Sequence, residues 1–381
     1  MTTSTYPELY YWLRLAMEPN LPASQARLLL AQFGLPPDIY AQSVGSLSKL
    51  LPHTIAAQLK STTPEFESAL QRSLEWASQP DQHIVCLADP HYPASLLETA
   101  DPPLVLFCKG NLELLASPCL AIVGARSSTQ GGEHNAFAFA KHLSTVGWTI
   151  VSGLASGIDA AAHEGSLAAL NPKASTIAVL GTGIDMVYPA RNRQLAHRIA
   201  EHGLLISEFP LGTKALPYHF PQRNRVVAGL SAGVLVVEAA IKSGSLITAQ
   251  YAYELGKEVF AIPGSIHSPL SKGCHRLIRQ GAKLVEAGQD IHEELTPRLK
   301  QLELYALTEQ PSAAAHTLPS VELAPELQHL LDQIGSDACA PDALQQRTQL
   351  DTSTLAAQLV ELELAGFIYQ DNYTGIYHRL G

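Results

Sequence analysis

Seven short apolar segments, at 119–123, 149–151, 176–180, 204–206, 234–237, 259–262 and 283–285, punctuate the middle of this chain. Each runs into small or turn-forming residues and then into a stretch of helical periodicity. The helical stretches fall at 133–145, 159–170, 191–201, 226–230, 246–255 and 275–280. Strands this uniformly apolar must be covered on both faces, and the alternation with helices supplies the cover. The pattern leads to the expectation of a doubly wound, Rossmann-like parallel sheet.

The flanks read differently. Residues 1–75 carry helical periodicity broken at Phe33-Gly34-Leu35-Pro36-Pro37, which suggests a small helical domain of SAM or helix–hairpin–helix-like character. A turn-rich connector, Asp89-Pro90 through Pro102-Pro103, opens the second domain, 76–296. Residues 297–325, with Pro297, Gln310-Pro311-Ser312 and an Ala-rich run, read as a linker. Three short helical patterns and a small hairpin around Asp371–Gly375 then make 326–381 an expected winged helix.

The whole chain of 381 residues has a formal charge of −10, which at first argues against a nucleic-acid partner. The charge is uneven, however. Residues 1–100 sum to −4, 101–290 to +3 and 291–381 to −9. Windows at the strand ends (124–132, 153–163, 181–198, 207–225, 238–248, 262–279) hold 11 basic and 4 acidic residues, so an acidic shell surrounds a basic edge. From 311 to 381 only Arg347 and Arg379 are basic, so the expected winged helix is too acidic to attract a duplex and is expected to contact protein, or nothing. No signal-peptide pattern and no run of 18 apolar residues occurs. The five scattered cysteines lack a CxxC pair, consistent with a reducing cytoplasm and with neither zinc nor a disulfide framework.

In an open α/β sheet, ligands bind beyond the carboxyl ends of the strands. The polar, Gly-rich sequence falls there: Gly124-Ala125-Arg126-Ser127, Gly153 through Asp159, Gly181-Thr182-Gly183-Ile184-Asp185, a long loop from Ser207 through Arg225, Lys242 through Thr248, and Pro263 through His275. Gly and Ser at such positions let backbone N–H groups face an anion, so several loops in a row could hold several phosphates. Arg126, Lys214, Arg223 and Arg225 would add charge, and Phe220 or Tyr218 a stacking surface. Asp159 and Asp185 read as loop-bracing residues. Enzyme motifs fail one by one. There is no GxxxxGK[ST], and Gly181-Thr182-Gly183 lacks the third glycine of a dinucleotide fingerprint. Gly229-Leu230-Ser231-Ala232-Gly233 matches GxSxG but follows a helix and precedes a strand, the reverse of a nucleophile elbow. The histidines have no metal-ligand spacing, and no nucleophile–base pair is evident.

These segments resemble the DNA-processing protein A (DprA, or Smf) family. The resemblance rests on Val123-Gly124-Ala125-Arg126, Ser152 through Asp159, Gly181 through Pro189, Phe220-Pro221-Gln222-Arg223-Asn224-Arg225, Ser243 through Ala249 and Val259 through Gly264. It covers most of residues 80–290 in order; Gly131, Lys257 and His275 depart from the residues commonest there. What it implies is a cytoplasmic, non-enzymatic protein without cofactor or metal. Such a protein binds and protects incoming single-stranded DNA and loads the recombinase RecA onto it in natural transformation and homologous recombination. It would act as a homodimer through the Rossmann-like domain, with no membrane partner. By the same resemblance, the DNA-contacting set is Gly124, Arg126, Ser127, Lys214, Phe220, Arg223, Asn224, Arg225, Lys242, Ser243, Gly244 and Ser245. Gly153, Gly157, Asp159, Gly181, Gly183 and Asp185 would shape the pocket. The alternative is a nucleotide-processing enzyme of the lysine-decarboxylase-like phosphoribohydrolase type; its Pro-Gly-Gly-x-Gly-Thr-x-x-Glu loop is replaced here by Lys242-Ser243-Gly244-Ser245-Leu246-Ile247-Thr248.

Overall fold

The computed structural model describes residues 6–171, 173–297, 325–334, 341–348, 350–364, 367–370 and 377–379. The expected linker, apart from its two end residues, and the expected turn 371–375 lie outside these. The chain divides into two units, 1–307 and 308–381.

The first unit opens with six helices: α1 (Tyr6–Met17), α2 (Ala23–Phe33), α3 (Pro36–Ala41), α4 (Val44–Leu47), α5 (His53–Gln58) and α6 (Pro64–Ala77). Gly34, with φ of 84°, ends α2, a backbone state that suits glycine. Strand β1 (Gln82–Cys86), α7 (Ala94–Leu97) and β2 (Val105–Gly110) follow. The alternating part then runs β3 (Cys119–Val123), α8 (Gln130–Thr145), β4 (Thr149–Ser152), α9 (Ile158–Leu167), β5 (Thr176–Val179), α10 (Arg193–His202), β6 (Leu204–Ser207), α11 (His219–Leu230), β7 (Gly233–Val236), α12 (Ser245–Glu254), β8 (Glu258–Ala261), α13 (Lys272–Arg279) and β9 (Lys283–Leu284). A helix through 288–297, α14, completes the described part.

The nine strands form one sheet in the order β1-β2-β6-β5-β4-β3-β7-β8-β9. From β6 to β9 every neighbouring pair is parallel, as expected, and the strand order reverses between β3 and β7. That reversal opens a crevice at the ends of β3 and β7, the position where such sheets take ligands. Side chains alternate across the pleat. Ala121 and Val123 join a core under α11, α12 and α13, whereas Leu120 and Ile122 join one with Ala136, Phe139 and Leu143 of α8.

Two features depart from the expected pattern. Strands β1 and β2 were not expected; β2 lies antiparallel to β6 and carries the sheet two strands further. The helices of 6–77 also close no separate core: Leu13, Leu29, Ile39 and Leu70 pack in one cluster with Phe107 of β2, Ala178 of β5 and Leu205 of β6. The second unit holds α15 (Pro325–Ile334), α16 (Pro341–Thr348), α17 (Thr352–Leu364) and the antiparallel pair β10 (Ile368–Gln370) and β11 (Tyr377–Arg379), the expected winged helix. Its own core gathers Leu330, Leu331, Leu344, Leu359, Leu362 and Ile368. Among the described residues no helix is long and apolar enough to cross a membrane.

Phe107 is fully buried, with its ring 5.8 Å from that of Trp76 on α6. Because the helices and the sheet share this core, Phe107→Ala should cost about 3–5 kcal/mol. Urea transitions followed by tryptophan fluorescence and by far-UV circular dichroism should move together. Independent melting of the helices of 6–77 would contradict a shared core.

Candidate nucleic-acid interface

A cavity of about 390 Å3 opens at the strand reversal. Its walls come from the β3 end (Val123, Gly124, Arg126), the β4 loop (Ala155, Asp159), the start of α11 (Pro217, Phe220, Pro221, Arg223, Asn224) and the start of α12 (Gly244, Ser245, Ile247, Thr248). The structure therefore brings together Gly124, Arg126, Phe220, Arg223, Asn224, Gly244 and Ser245 of the expected contact set. Ser127, Lys214 and Lys242 are exposed on the surrounding loops, and Ser243 is half-buried. None of those four lines the cavity.

Residues 219–225 were expected in a loop, but α11 begins at His219, so Phe220 through Arg225 form its first turns. Pro221 interrupts nothing there, because the first N–H groups of a helix have no intrahelical acceptor. The helix decides where the two arginines point. Residues two apart lie on opposite sides of a helix. Arg223 turns under the cavity and is 4% exposed. Arg225 turns away: its Nη2 donates to Glu208, its Nη1 donates to the Asp101 carbonyl, and its Nε lies 3.4 Å from Asp101 Oδ2. Arg225 thus bridges α11 to the connector and is not among the residues that line the cavity.

Arg223 is the floor. Its Nη1 donates to the Val179 carbonyl at the end of β5 (2.5 Å) and its Nε to Asn224 Oδ1 (3.1 Å). Burial lowers its pKa to about 10, while the charge of Asp159 pulls the other way. At neutral pH it stays cationic. The guanidinium fits only because residue 153 has no side chain: a Cβ there would fall 2.1 Å from Arg223 Nη1. Gly181 makes the same allowance for Phe220, whose Cδ1 would lie 2.9 Å from an added Cβ, and Gly124 for Ile158, at 2.6 Å. Gly157, at φ 75°, and Gly183 would each meet a backbone carbonyl at 2.5 Å. Above the floor, Arg126 is exposed and stacks on Phe220, with Cζ 5.2 Å from the ring centroid. The Phe220 ring is in turn 5.5 Å from that of Tyr188.

Several backbone N–H groups of these loops already have acceptors within the protein. Asp159 Oδ2 accepts from Gly153 N (3.1 Å) and Ala155 N (3.3 Å), and His163 Nε2 accepts from Leu154 N between them (3.3 Å). Glu238 accepts from the amide of Thr129 (2.9 Å) and from its hydroxyl (2.6 Å) at the start of α8. Gly132 leaves room for that carboxylate, since a Cβ would sit 2.5 Å from Oε2. Asp185 accepts from Gly212 N at 2.9 and 3.0 Å. At α12 the amides of Leu246 and Ile247 bond within their own turn, and Ser243 and Ser245 pair their hydroxyls at 2.7 Å. Internal acceptors thus occupy many of the loop amides, and the exposed side chains supply the charge available to a ligand.

Three further residues hold these parts in place. His163 is fully buried, accepts from Leu154 N at Nε2, and meets Thr176 Oγ1 at Nδ1 (2.7 Å), whose hydroxyl donates to the Ile150 carbonyl (2.7 Å). Thr176 Oγ1 thus accepts a hydrogen bond from Nδ1–H, so the neutral tautomer protonated there is the one that fits. Lys257 donates to the carbonyls of Ala228 (3.1 Å) and Gly229 (2.6 Å) at the end of α11, and burial lowers its pKa to about 8. His275 Nε2 lies 3.0 Å from the Gly264 carbonyl, closing the last loop on itself. Among the described residues no group of three or more His, Cys, Asp or Glu could hold a metal ion.

A family model described as DNA recombination-mediator protein A matches residues 83–296, and one described as the DprA winged helix domain matches 313–371. Protein Smf of Escherichia coli (strain K12) is 43% identical over 301 residues, 79% of this chain and 78% of that protein. DNA processing protein DprA of Bacillus subtilis is 44% identical over 244 residues, 64% of this chain and 81% of that protein. The solved structure of DNA processing protein A from Streptococcus pneumoniae matches with a TM-score of 0.66 at 38% identity, covering 75% of this chain and 97% of that one. The Helicobacter pylori protein, whose structure is described for its single-stranded DNA binding mode, matches at 0.51 and 32% identity, covering 56% and 96%.

Two measurements test the floor of the site. Gly153→Ala should displace Arg223 and cost about 1–3 kcal/mol in urea unfolding. His163, with its pKa lowered by burial to about 3 from 6.5, binds its proton more weakly folded than unfolded. Its contribution is complete above pH 6.5 and is lost as pH falls toward 3, at up to about 1.4 kcal/mol per pH unit. His163→Gln should make the fall in stability between pH 6.5 and 4 shallower; an unchanged slope would contradict the assignment.

Proposed function

The chain belongs to the DNA recombination-mediator protein A family, and on that premise we propose that it binds single-stranded DNA along the carboxyl edge of its parallel strands. The observation that carries this reading is the pairing of an exposed Arg126 with Phe220 over a buried cationic floor. A cation and an aromatic face in one open cavity suit a phosphate next to an unpaired base. The Helicobacter pylori relative, whose structure concerns single-stranded DNA binding, supports the same reading. The contact set is Arg126, Phe220, Asn224, Gly244 and Ser245 in the cavity, with Gly124 allowing close approach and Ser127, Lys214, Lys242 and Ser243 around it. Arg223 acts from beneath, and Arg225 holds α11. Gly153, Gly157, Asp159, Gly181, Gly183 and Asp185 shape the loops.

The role is binding rather than catalysis. Asp159, the carboxylate at the cavity, has its pKa raised by burial, against the opposing pull of Arg223 and of the two amides that donate to it, and those two hydrogen bonds hold it as a brace for the loop. Family membership supports three finer elements: protection of incoming strands in transformation, loading of RecA onto them, and a homodimer built through the Rossmann-like domain. RecA filament assembly on an oligonucleotide coated with a single-strand-binding protein, with and without this protein, tests the second.

Binding of a fluorescent single-stranded oligonucleotide should weaken as salt rises, with a slope of about −0.7 per phosphate contacted. Arg126→Glu should lower affinity roughly tenfold or more and flatten the slope. Unchanged affinity in Arg126→Glu would remove the site from the cavity, and release of free base from nucleoside monophosphates would replace binding by hydrolysis.

A further inference from the structure

We propose that the single-strand site extends beyond the cavity onto the segment 188–193, where Tyr188 stacks a base and Arg191 and Arg193 take the phosphates that follow. The inference rests on the single-strand reading above and gives it a direction.

Aromatic surface does not end at Phe220. The Tyr188 ring lies 5.5 Å from it, tilted by 42°, and is half exposed to solvent. A tyrosine this exposed forgoes much of the burial that usually justifies a large apolar ring. Next to a ring already paired with Arg126, it adds a third planar group to the phenyl and the guanidinium. Unpaired bases stack on such surfaces whatever their identity.

Charge follows the aromatic line. After Pro189 the chain makes a 3₁₀ turn over Ala190–Asn192 and enters α10 at Arg193. Arg191 and Arg193 are both exposed, and neither forms an ion pair among the described residues. Arg198 on the same helix shows the contrast, since it meets both oxygens of Glu164 at 2.9 and 2.7 Å. Between the two free arginines, Asn192 turns inward and donates to the carbonyls of Leu154 (2.8 Å) and Ala155 (3.2 Å). Ala155 is itself a wall of the cavity. The extension is therefore hydrogen-bonded to the same loop that forms the main site, so a strand crossing from Phe220 to Tyr188 stays on one continuous support.

The test separates the extension from the site it extends. Tyr188→Ala should weaken binding of a long oligonucleotide about 5- to 150-fold, the value of one stacked base, while leaving the salt slope unchanged. Tyr188→Phe should bind like the natural protein. On an oligonucleotide made wholly of abasic residues, Tyr188→Ala and the natural protein should bind equally. Arg191→Gln with Arg193→Gln should reduce the salt slope by about 1.4, two single-strand phosphates at about 0.7 each. If the natural protein binds with a steep salt dependence but Tyr188→Ala matches it on long oligonucleotides, or loses as much on the abasic one, the extension is wrong and the cavity reading stands. An unchanged slope in the double arginine variant likewise overturns the phosphate part. If the natural protein shows no salt-dependent binding at all, the single-strand reading itself fails.

Discussion

One buried guanidinium organises the edge of this sheet. A charge removed from water is costly unless its hydrogen bonds and a countercharge go with it. Arg223 meets that demand with the Val179 carbonyl on β5, the Asn224 side chain on α11 and the field of Asp159 on α9, under a β4 loop cleared by Gly153. Residues from β5, α11 and the β4–α9 segment thus meet at one cation. None of them can shift without stranding either the charge or the carboxylate that faces it.

The acidic composition of the chain is also resolved locally. Within the strand-end loops, the carboxylates are turned toward backbone amides: Asp159 to the β4 loop, Glu238 to the start of α8, Asp185 to Gly212. Glu208 is spent on Arg225. Each acid therefore neutralises something internal, and Arg126, Arg191, Arg193, Lys214 and Lys242 face solvent in an edge whose negative charges point inward. A net charge of −10 says little about such a surface, because the sum does not record direction.

Much of the fold was legible because periodicity reports burial directly. The seven expected parallel strands fall within a residue or two of β3 through β9, since strands covered on both faces are mostly apolar and end at turn-forming residues. β1 was hidden by Gln82 and His83, which stand at the outer edge of the sheet, where polar side chains are tolerated. The start of α11 was hidden by Pro221, which reads as a breaker by residue type but is harmless in a first turn. That single misplacement mattered most for the site. In a loop, Arg223 and Arg225 look equivalent; on a helix they face opposite ways, one to the cavity floor and one to Glu208. Tyr188 stood inside a motif counted for its glycines, and only its ring distance from Phe220 singles it out.

The internal satisfaction of these loops has a bearing on rates. A glycine-rich loop with free amides is ordinarily floppy, and a ligand must freeze it on arrival, losing conformational entropy in the act. Here that ordering is completed during folding, by Asp159, His163, Glu238 and Asp185, before any ligand is present. For the proposed single-strand ligand, these loops are already set and the strand is the pliable partner. Association with such an edge is governed by how fast opposite charges find one another and by how readily the strand conforms, rather than by any closure of the protein around it.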